Sequence, residues 1–479
     1  MQTMPEELWR RSPAFVTIGV TFVALLMTSF AMFPDPFIRH DDFPALLADP
    51  DGYYIKTLDE GRWLSYIWHL RGFVMPSWLA FALYQLCWAI FAGAAALNAC
   101  GPNARPIYPI AVALFIMVAP PAAMISVWFN TLLPGLAVVA VYALLVLRHG
   151  ARKMRPWLLI FVPATLMCYT SYPLLLLVLL ITAHDNRWSF RDLAGLIVLF
   201  VGSFALGLLS IYCLNYAFHG VFGIPMAEWR QPNPVTDMVS LIANLDLVGN
   251  FMLRTLDAFS HDFAPMAWVI LAVTFFGLVL VARHEGWPAA YIAVGLSAGF
   301  GLVVLQILRT GILLSPRVLI FAWVLLACLL ARMVLIAHDR KPMGARLMRN
   351  ALLIVVGSYA LNIGKMYMSY EPWQSTTRAM AQSLKKGDGP IWITGSYTSV
   401  PHSDTVEIQN PRALAYRLEY LTGRDVHDCS EGADTDAACA TLTDAPRWEK
   451  DMHLAHILQF ERGTMLQLPN TSETELAQN

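Results

Sequence analysis

Nothing constrains this chain more than its long stretches without charge: residues 13–33, 74–103 and 106–147 hold no Asp, Glu, Lys or Arg. Each is long enough to cross about 30 Å of hydrocarbon at about 1.5 Å per helical residue. Inside lipid a backbone must satisfy its own hydrogen bonds, so these stretches are predicted to be transmembrane helices. Hydrophobic residues make up 57% and charged residues 14% of the chain, well below the usual quarter for a soluble domain. The expected fold class is therefore mainly α, a polytopic transmembrane helix bundle.

The apolar pattern predicts about eleven spans: 13–33, 74–99, 107–125, 132–147, 157–170, 172–183, 193–215, 265–283, 287–308, 317–337 and 350–368. The first exceeds the core of a cleaved signal and is read as a helix. The pair 157–170 and 172–183 hinges at Thr170-Ser171-Tyr172-Pro173 and also fits one kinked helix. Lys and Arg gather near one set of helix ends, at Arg10, Arg11, Arg105, Arg148, Arg152, Lys153, Arg155, Arg187, Arg191, Arg283, Arg340, Lys341, Arg346 and Arg349. The longer opposite loops carry fewer. By the positive-inside rule this sets the N-terminus in the cytoplasm and 34–73, 216–264, 309–316 and everything after about 369 outside. The formal net charge of −1 gives no reason to expect a nucleic-acid partner.

After Tyr370 the chain turns polar, which predicts a division into a membrane module, 1–369, and a small soluble α/β domain, 370–479. Buried strands are expected at 390–395 and 465–468, and helices at Glu371–Leu384 and 413–421. Five cysteines lie in or beside apolar spans, while Cys429 and Cys439 stand ten positions apart in the tail. In an oxidising compartment that pair predicts a disulfide.

Candidate chemistry concentrates in the outer loops, where ionisable groups adjoin the membrane. Ile38-Arg39-His40-Asp41-Asp42-Phe43 sets two adjacent carboxylates beside two potentially cationic side chains. A general base needs a carboxylate kept ionised at a watery edge, and such a pair also leaves open a divalent cation, Mg2+ or Mn2+, held by Asp41 and Asp42. The same residues fit an ordinary polar loop. The stretch 59–69, with Arg62, Trp63 and Trp68, is amphipathic and fits a helix in the interface plane. Arg309 and Arg317 bracket a short turn near the membrane face, where forked guanidinium groups suit a lipid phosphate. In the loop 216–264, Trp229 offers a stacking face for a sugar and Glu228 an acceptor for its hydroxyls.

No Walker-type loop, His-Glu-x-x-His or Gly-x-Ser-x-Gly motif is present, so ATP hydrolysis, metalloproteolysis and esterase chemistry have no support. The order of features resembles the bacterial Gtr-type O-antigen glucosyltransferases of the GT-C membrane class. These features are one helix, a loop with Asp41-Asp42, Gly61-Arg62-Trp63-Leu64-Ser65-Tyr66, then 309–317, Asn362-Ile363-Gly364 and Tyr370-Glu371. The resemblance is one of layout over about residues 10–395.

It implies a GT-C-like, inverting hexosyltransferase in the bacterial inner membrane. A sugar, typically glucose, would pass from undecaprenyl phosphate to a lipid-linked glycan or polysaccharide at the periplasmic face. Asp41 or Asp42 would be the base, and Arg309, Arg317 and Arg62 would hold the donor phosphate. Arg39, His40, Trp63, Glu228 and Trp229 would contact substrate. A transporter, flippase or polymerase without donor chemistry is the alternative, although such proteins more often place ionisable or broken helices at the midplane.

Overall fold

The computed structural model describes residues 6–39, 42–47, 50–226, 230–340, 342–404, 406, 412–429, 439, 455–460 and 462–469. Its helices are α1 (Glu6–Thr28), α2 (Phe43–Leu46), α3 (Asp51–Glu60), α4 (Trp63–His69), α5 (Ser77–Cys100), α6 (Ile107–Met117), α7 (Pro120–Ile125), α8 (Phe129–His149), α9 (Ala151–Met154) and α10 (Leu158–Leu166). They continue as α11 (Tyr172–Ile181), α12 (Phe190–His219), α13 (Met238–Ser260), α14 (Ala264–His284), α15 (Gly286–Thr310), α16 (Ile320–Arg340), α17 (Pro342–Met368), α18 (Glu371–Leu384) and α19 (Arg412–Thr422). Among the described residues seven helical stretches are long and apolar enough to cross a membrane. Pro13–Thr28, Ile107–Met117 and Tyr172–Ile181 are shorter apolar helices. The chain is thus a membrane-embedded helix bundle.

The two short spans expected at 157–183 are separate helices, α10 and α11, parted by a break at 167–171. Pro163 and Pro173 bracket that break, and each lacks the N–H that a continuous helix needs. The span expected at 107–125 is likewise two pieces, α6 and α7, interrupted just before Pro120-Pro121.

One long helix was not expected: α13 lies inside the stretch read as the loop 216–264. Asn244, Asp246, Asn250, Arg254 and Asp257 dilute its hydropathy, and its buried side mixes polar residues with Phe251 and Phe259. Ser240, Asn244 and Thr255 are buried, whereas Met238, Val239, Ile242, Leu245 and Leu253 are exposed. Near one end Asn244 Nδ2 donates to Leu308 O of α15 at 2.9 Å. At the other, Phe259 O accepts from Tyr359 Oη at 2.6 Å, and the Phe259 ring meets Trp323 at 5.4 Å. Leu308 and Trp323 flank the same α15–α16 turn, so α13 runs across one end of the bundle rather than through it.

The C-terminal part contains a four-stranded sheet of order β2-β1-β4-β3, with β1 (Ile391–Thr394), β2 (Val426–Asp428), β3 (His456–Phe460) and β4 (Gly463–Gln467). β1 pairs in parallel with β2 and β4, and β3 runs antiparallel to β4. The predicted strands at 390–395 and 465–468 correspond to β1 and β4; β2 and β3 were not expected. β2 is three half-buried residues and β3 alternates with exposed positions, so neither reads as an apolar run. Cys429 and Cys439 form a disulfide, with Cα atoms 5.6 Å apart.

Sheet domain and bundle share a core. Ile391, Ile393, Leu414, Leu418 and Leu466 belong to the same buried cluster as Phe37, Phe43, Phe81 and Phe129. The loop after α1 is the mortar. Arg417, 1% exposed, donates from both Nη atoms to the carboxylate of Asp35, and Tyr420 Oη donates to Ser77 Oγ at 2.9 Å.

Candidate functional site

At the end of the bundle crossed by α13, a small cleft opens between Glu60, Arg62, Ile125, Trp128, Leu132, Tyr169, Arg230 and Arg317. Its polar residues come from helix interruptions. Gly61, at φ +68°, ends α3 in the left-handed region, and a Cβ there would lie 2.8 Å from Ile211 Cγ2, so only glycine fits. That turn sets Glu60 and Arg62, on either side of it, into one wall. Trp128 sits where α7 gives way to α8, Tyr169 in the break between α10 and α11, and Arg317 in the short 3-10 turn Pro316–Leu319. Helix breaks free backbone groups and turn side chains inward, as at many membrane binding sites.

The wall is a charge cluster. Glu60 Oε1 meets Lys56 Nζ at 3.2 Å and Arg230 Nη2 at 3.0 Å, and Oε2 pairs with Arg62 Nη2. The Arg62 guanidinium lies 5.7 Å from the Tyr169 ring centroid, and that of Arg317 4.1 Å from the Trp128 ring. Among the described residues, three guanidiniums against one carboxylate give the lining a formal charge of +2. A confined cationic site walled by aromatics attracts an anion, and guanidiniums favour phosphate by forked hydrogen bonds.

Sequence-derived candidates divide sharply. Arg62 and Arg317 line the cleft. Arg309 does not: it ends α15 as an exposed side chain, and its carbonyl accepts from Val235 N at 3.3 Å. The turn between the arginines is not symmetrical, because Gly311 closes α15 one residue beyond Thr310 while Arg317 belongs to the next turn. Only Arg317 of the two lines the cleft, and Arg230 stands there in place of Arg309.

Trp63 is no substrate platform either. It is buried, and its Nε1 donates to Asn215 Oδ1 at 2.8 Å, pinning α4 to α12. His219 does similar work, with Nε2 2.6 Å from Thr57 Oγ1. Arg39 lies beside the cleft, its guanidinium 5.4 Å from the Trp128 ring. His40, Asp41, Glu228 and Trp229 lie outside the described residues.

Asp42 is 0% exposed and serves the fold. Its Oδ2 accepts from Asn130 N at 2.8 Å and Asn130 Nδ2 at 3.0 Å, and its Oδ1 from Thr131 N at 2.6 Å. These backbone amides open α8, so Asp42 caps that helix from a distant loop and sits at the favourable end of its dipole. Burial pushes the carboxyl up to about 6, and the Asn130 and Thr131 bonds restrain the rise. Both oxygens are occupied by N–H donors. Neither a substrate-facing base nor a metal ligand fits that environment, since the same N–H groups would oppose a cation. Among the described residues no cluster of three or more His, Cys, Asp or Glu could hold a metal ion.

Trp128, Tyr169 and Glu60 were not singled out from the sequence. The signal that could have found two of them is the polar interruption of an apolar block, at Ser126–Asn130 and at Thr170-Ser171. Compared with family models, with characterised proteins and with solved structures, the chain matches none of them.

Proposed function

We propose that this protein is a membrane glycosyltransferase that moves a sugar, typically glucose, from a polyprenyl phosphate to a hydroxyl of a lipid-linked glycan or polysaccharide. The observation that carries the reading is the cleft in which Arg62, Arg230 and Arg317 converge among aromatic walls. Apolar side chains adjoin Arg230 in sequence on both sides: Phe218, Phe222 and Met226 before it, Val235 and Met238 after it, all exposed. A phosphate with a hydrocarbon tail meets both environments at once, the charge in the cleft and the tail in lipid.

In this reading the acceptor hydroxyl attacks the anomeric carbon, a carboxylate takes its proton, and the bond to the phosphate oxygen breaks with inversion. The negative charge then remains on polyprenyl phosphate beside the arginines, where fixed positive groups lower the barrier. Asp41 is the proposed base. It adjoins Asp42 in sequence, and Arg39 and Asp42 both dock on the segment 127–131 that carries Trp128. The charge asymmetry of the loops supports a cytoplasmic N-terminus, with the cleft and sheet domain on the periplasmic side of the inner membrane.

The deciding experiment is transfer of glucose from undecaprenyl phosphate to a lipid-linked O-antigen fragment by purified protein in nanodiscs. Asp41→Asn should lower the rate by about 10²–10⁴-fold, the usual cost of a lost general base, with donor binding retained. Normal turnover in Asp41→Asn would remove the base assignment. No transfer by the unaltered protein, from any polyprenyl-phosphate sugar tried, would remove the reading as a whole.

A further inference from the structure

A single stack of rings and guanidiniums runs from the sheet domain into the cleft. Tyr370, at the N-terminus of α18, stacks on Phe37 at 4.2 Å between ring centroids. The Arg39 guanidinium lies 5.5 Å from the Phe37 ring and 5.4 Å from the Trp128 ring, and Arg317 lies 4.1 Å from Trp128. From Phe37 onward aromatics and cations alternate, and each guanidinium–ring contact is attractive through the ring quadrupole; Tyr370 adds ring-on-ring packing at the outer end. Trp128 serves two guanidiniums, so the place of one depends on the place of the other.

The near end of this stack is fixed firmly. Asp35, two residues before Phe37, is gripped by Arg417, and its backbone carbonyl accepts from Gln374 Nε2. Phe37 also meets the edge of Trp373 at 5.8 Å. Two residues further on, Arg39 N donates to Val127 O at 3.4 Å. The loop is held by α18 and α19 on one side and by the entrance to α8 on the other. An ion pair as buried as Asp35–Arg417 is poor evidence for added stability, because apolar substitutes of similar size often do as well; its best-attested use is to fix register.

We infer that the sheet domain is the positioning device for the cleft, and that Tyr370 and Phe37 are positioning residues that set the Arg39, Trp128 and Arg317 side chains for phosphate binding. This rests on the reading of the cleft as a phosphate site. Docking of the domain registers the loop, the loop registers Arg39 against Trp128, and Trp128 registers Arg317. Domain and bundle are then one binding unit.

Farnesyl phosphate is the probe, titrated against the full-length protein in nanodiscs and followed by broadening of its 31P resonance. Tyr370→Leu keeps apolar volume and loses the ring; Tyr370→Phe keeps the ring. Coupled neighbours of this kind predict a loss of about tenfold in affinity for Tyr370→Leu and Phe37→Leu, with Tyr370→Phe near the unaltered protein. The double variant Asp35→Leu/Arg417→Met should keep its thermal midpoint and still lose affinity, because it keeps packing and gives up register. A merely structural role would shift midpoints in the leucine variants and leave affinity alone, and that result overturns the inference while the phosphate site stands. Failure of the unaltered protein to bind farnesyl phosphate overturns both.

Discussion

The sharpest test of the cleft compares its two flanking arginines, one of which lines it and one of which does not. Arg317 packs on Trp128 at 4.1 Å and faces the cavity shared with Arg62 and Arg230, whereas Arg309 is an exposed residue at the end of α15. A hydrogen bond to a charged group contributes about 1.5–3 kcal/mol. Arg317→Ala should therefore weaken phosphate binding by about 10- to 150-fold. Arg309→Ala removes no cleft contact and should stay within about 0.5 kcal/mol, the range of ordinary surface changes. Arg317→Lys keeps the charge and loses both the planar fork and the stack on Trp128, so it should recover only part of the loss. The assay is equilibrium binding of radiolabelled undecaprenyl phosphate to purified variants in nanodiscs, at two salt concentrations, with thermal midpoints as the check on folding. Equal losses for Arg309→Ala and Arg317→Ala would refute the geometric argument, as would an unchanged affinity in folded Arg317→Ala.

Three further outcomes are expected. Burial raises the Asp42 carboxyl from its ordinary value of 3.8 to about 6. Its contribution to stability is then fully present below the lower value and lost as pH rises through the upper one, on the order of 3 kcal/mol in all. Thermal midpoints of the unaltered protein relative to Asp42→Asn should fall between pH 4 and 7, and parallel curves would reject the assignment. Trp63→Phe strips Asn215 Oδ1 of its 2.8 Å donor in a buried setting, and should cost about 1–3 kcal/mol in unfolding free energy without changing phosphate affinity. Paired Cys429→Ser and Cys439→Ser opens a short loop, for which chain entropy predicts a loss of about 2–3 kcal/mol. Limited proteolysis of the sheet domain reads it directly, and unchanged cleavage rates would contradict it.

Much of the architecture was legible in the chain itself. Uncharged blocks dictated a helix bundle in lipid because backbone groups there have no other partners, and the polar character after Tyr370 announced the small sheet near the C-terminus without showing that it shares the bundle's core. Cys429 and Cys439 could be paired from their place in a polar tail. Arg62 came into view only as part of an amphipathic stretch, 59–69, and the break at Gly61 that turns it into the cleft was not expected. Helix α13 escaped because Asn244, Asp246, Asn250, Arg254 and Asp257 break up its apolar run, and because it buries Ser240, Asn244 and Thr255 beside Phe251 and Phe259 while several aliphatic residues face outward.

The cleft was only half visible, for a physical reason. Glu60, Trp128, Tyr169, Arg230 and Arg317 come from distant breaks in the chain, and only packing brings them within one cavity. Sequence placed Asp42 at a watery edge; tertiary structure seats it on the first amides of α8, 88 residues away, where it caps a helix. Local charge and periodicity determined which residues could meet the membrane surface. Which of them share a site was decided by helix packing, because a side chain's partners in space are set by contacts between elements that no local pattern encodes.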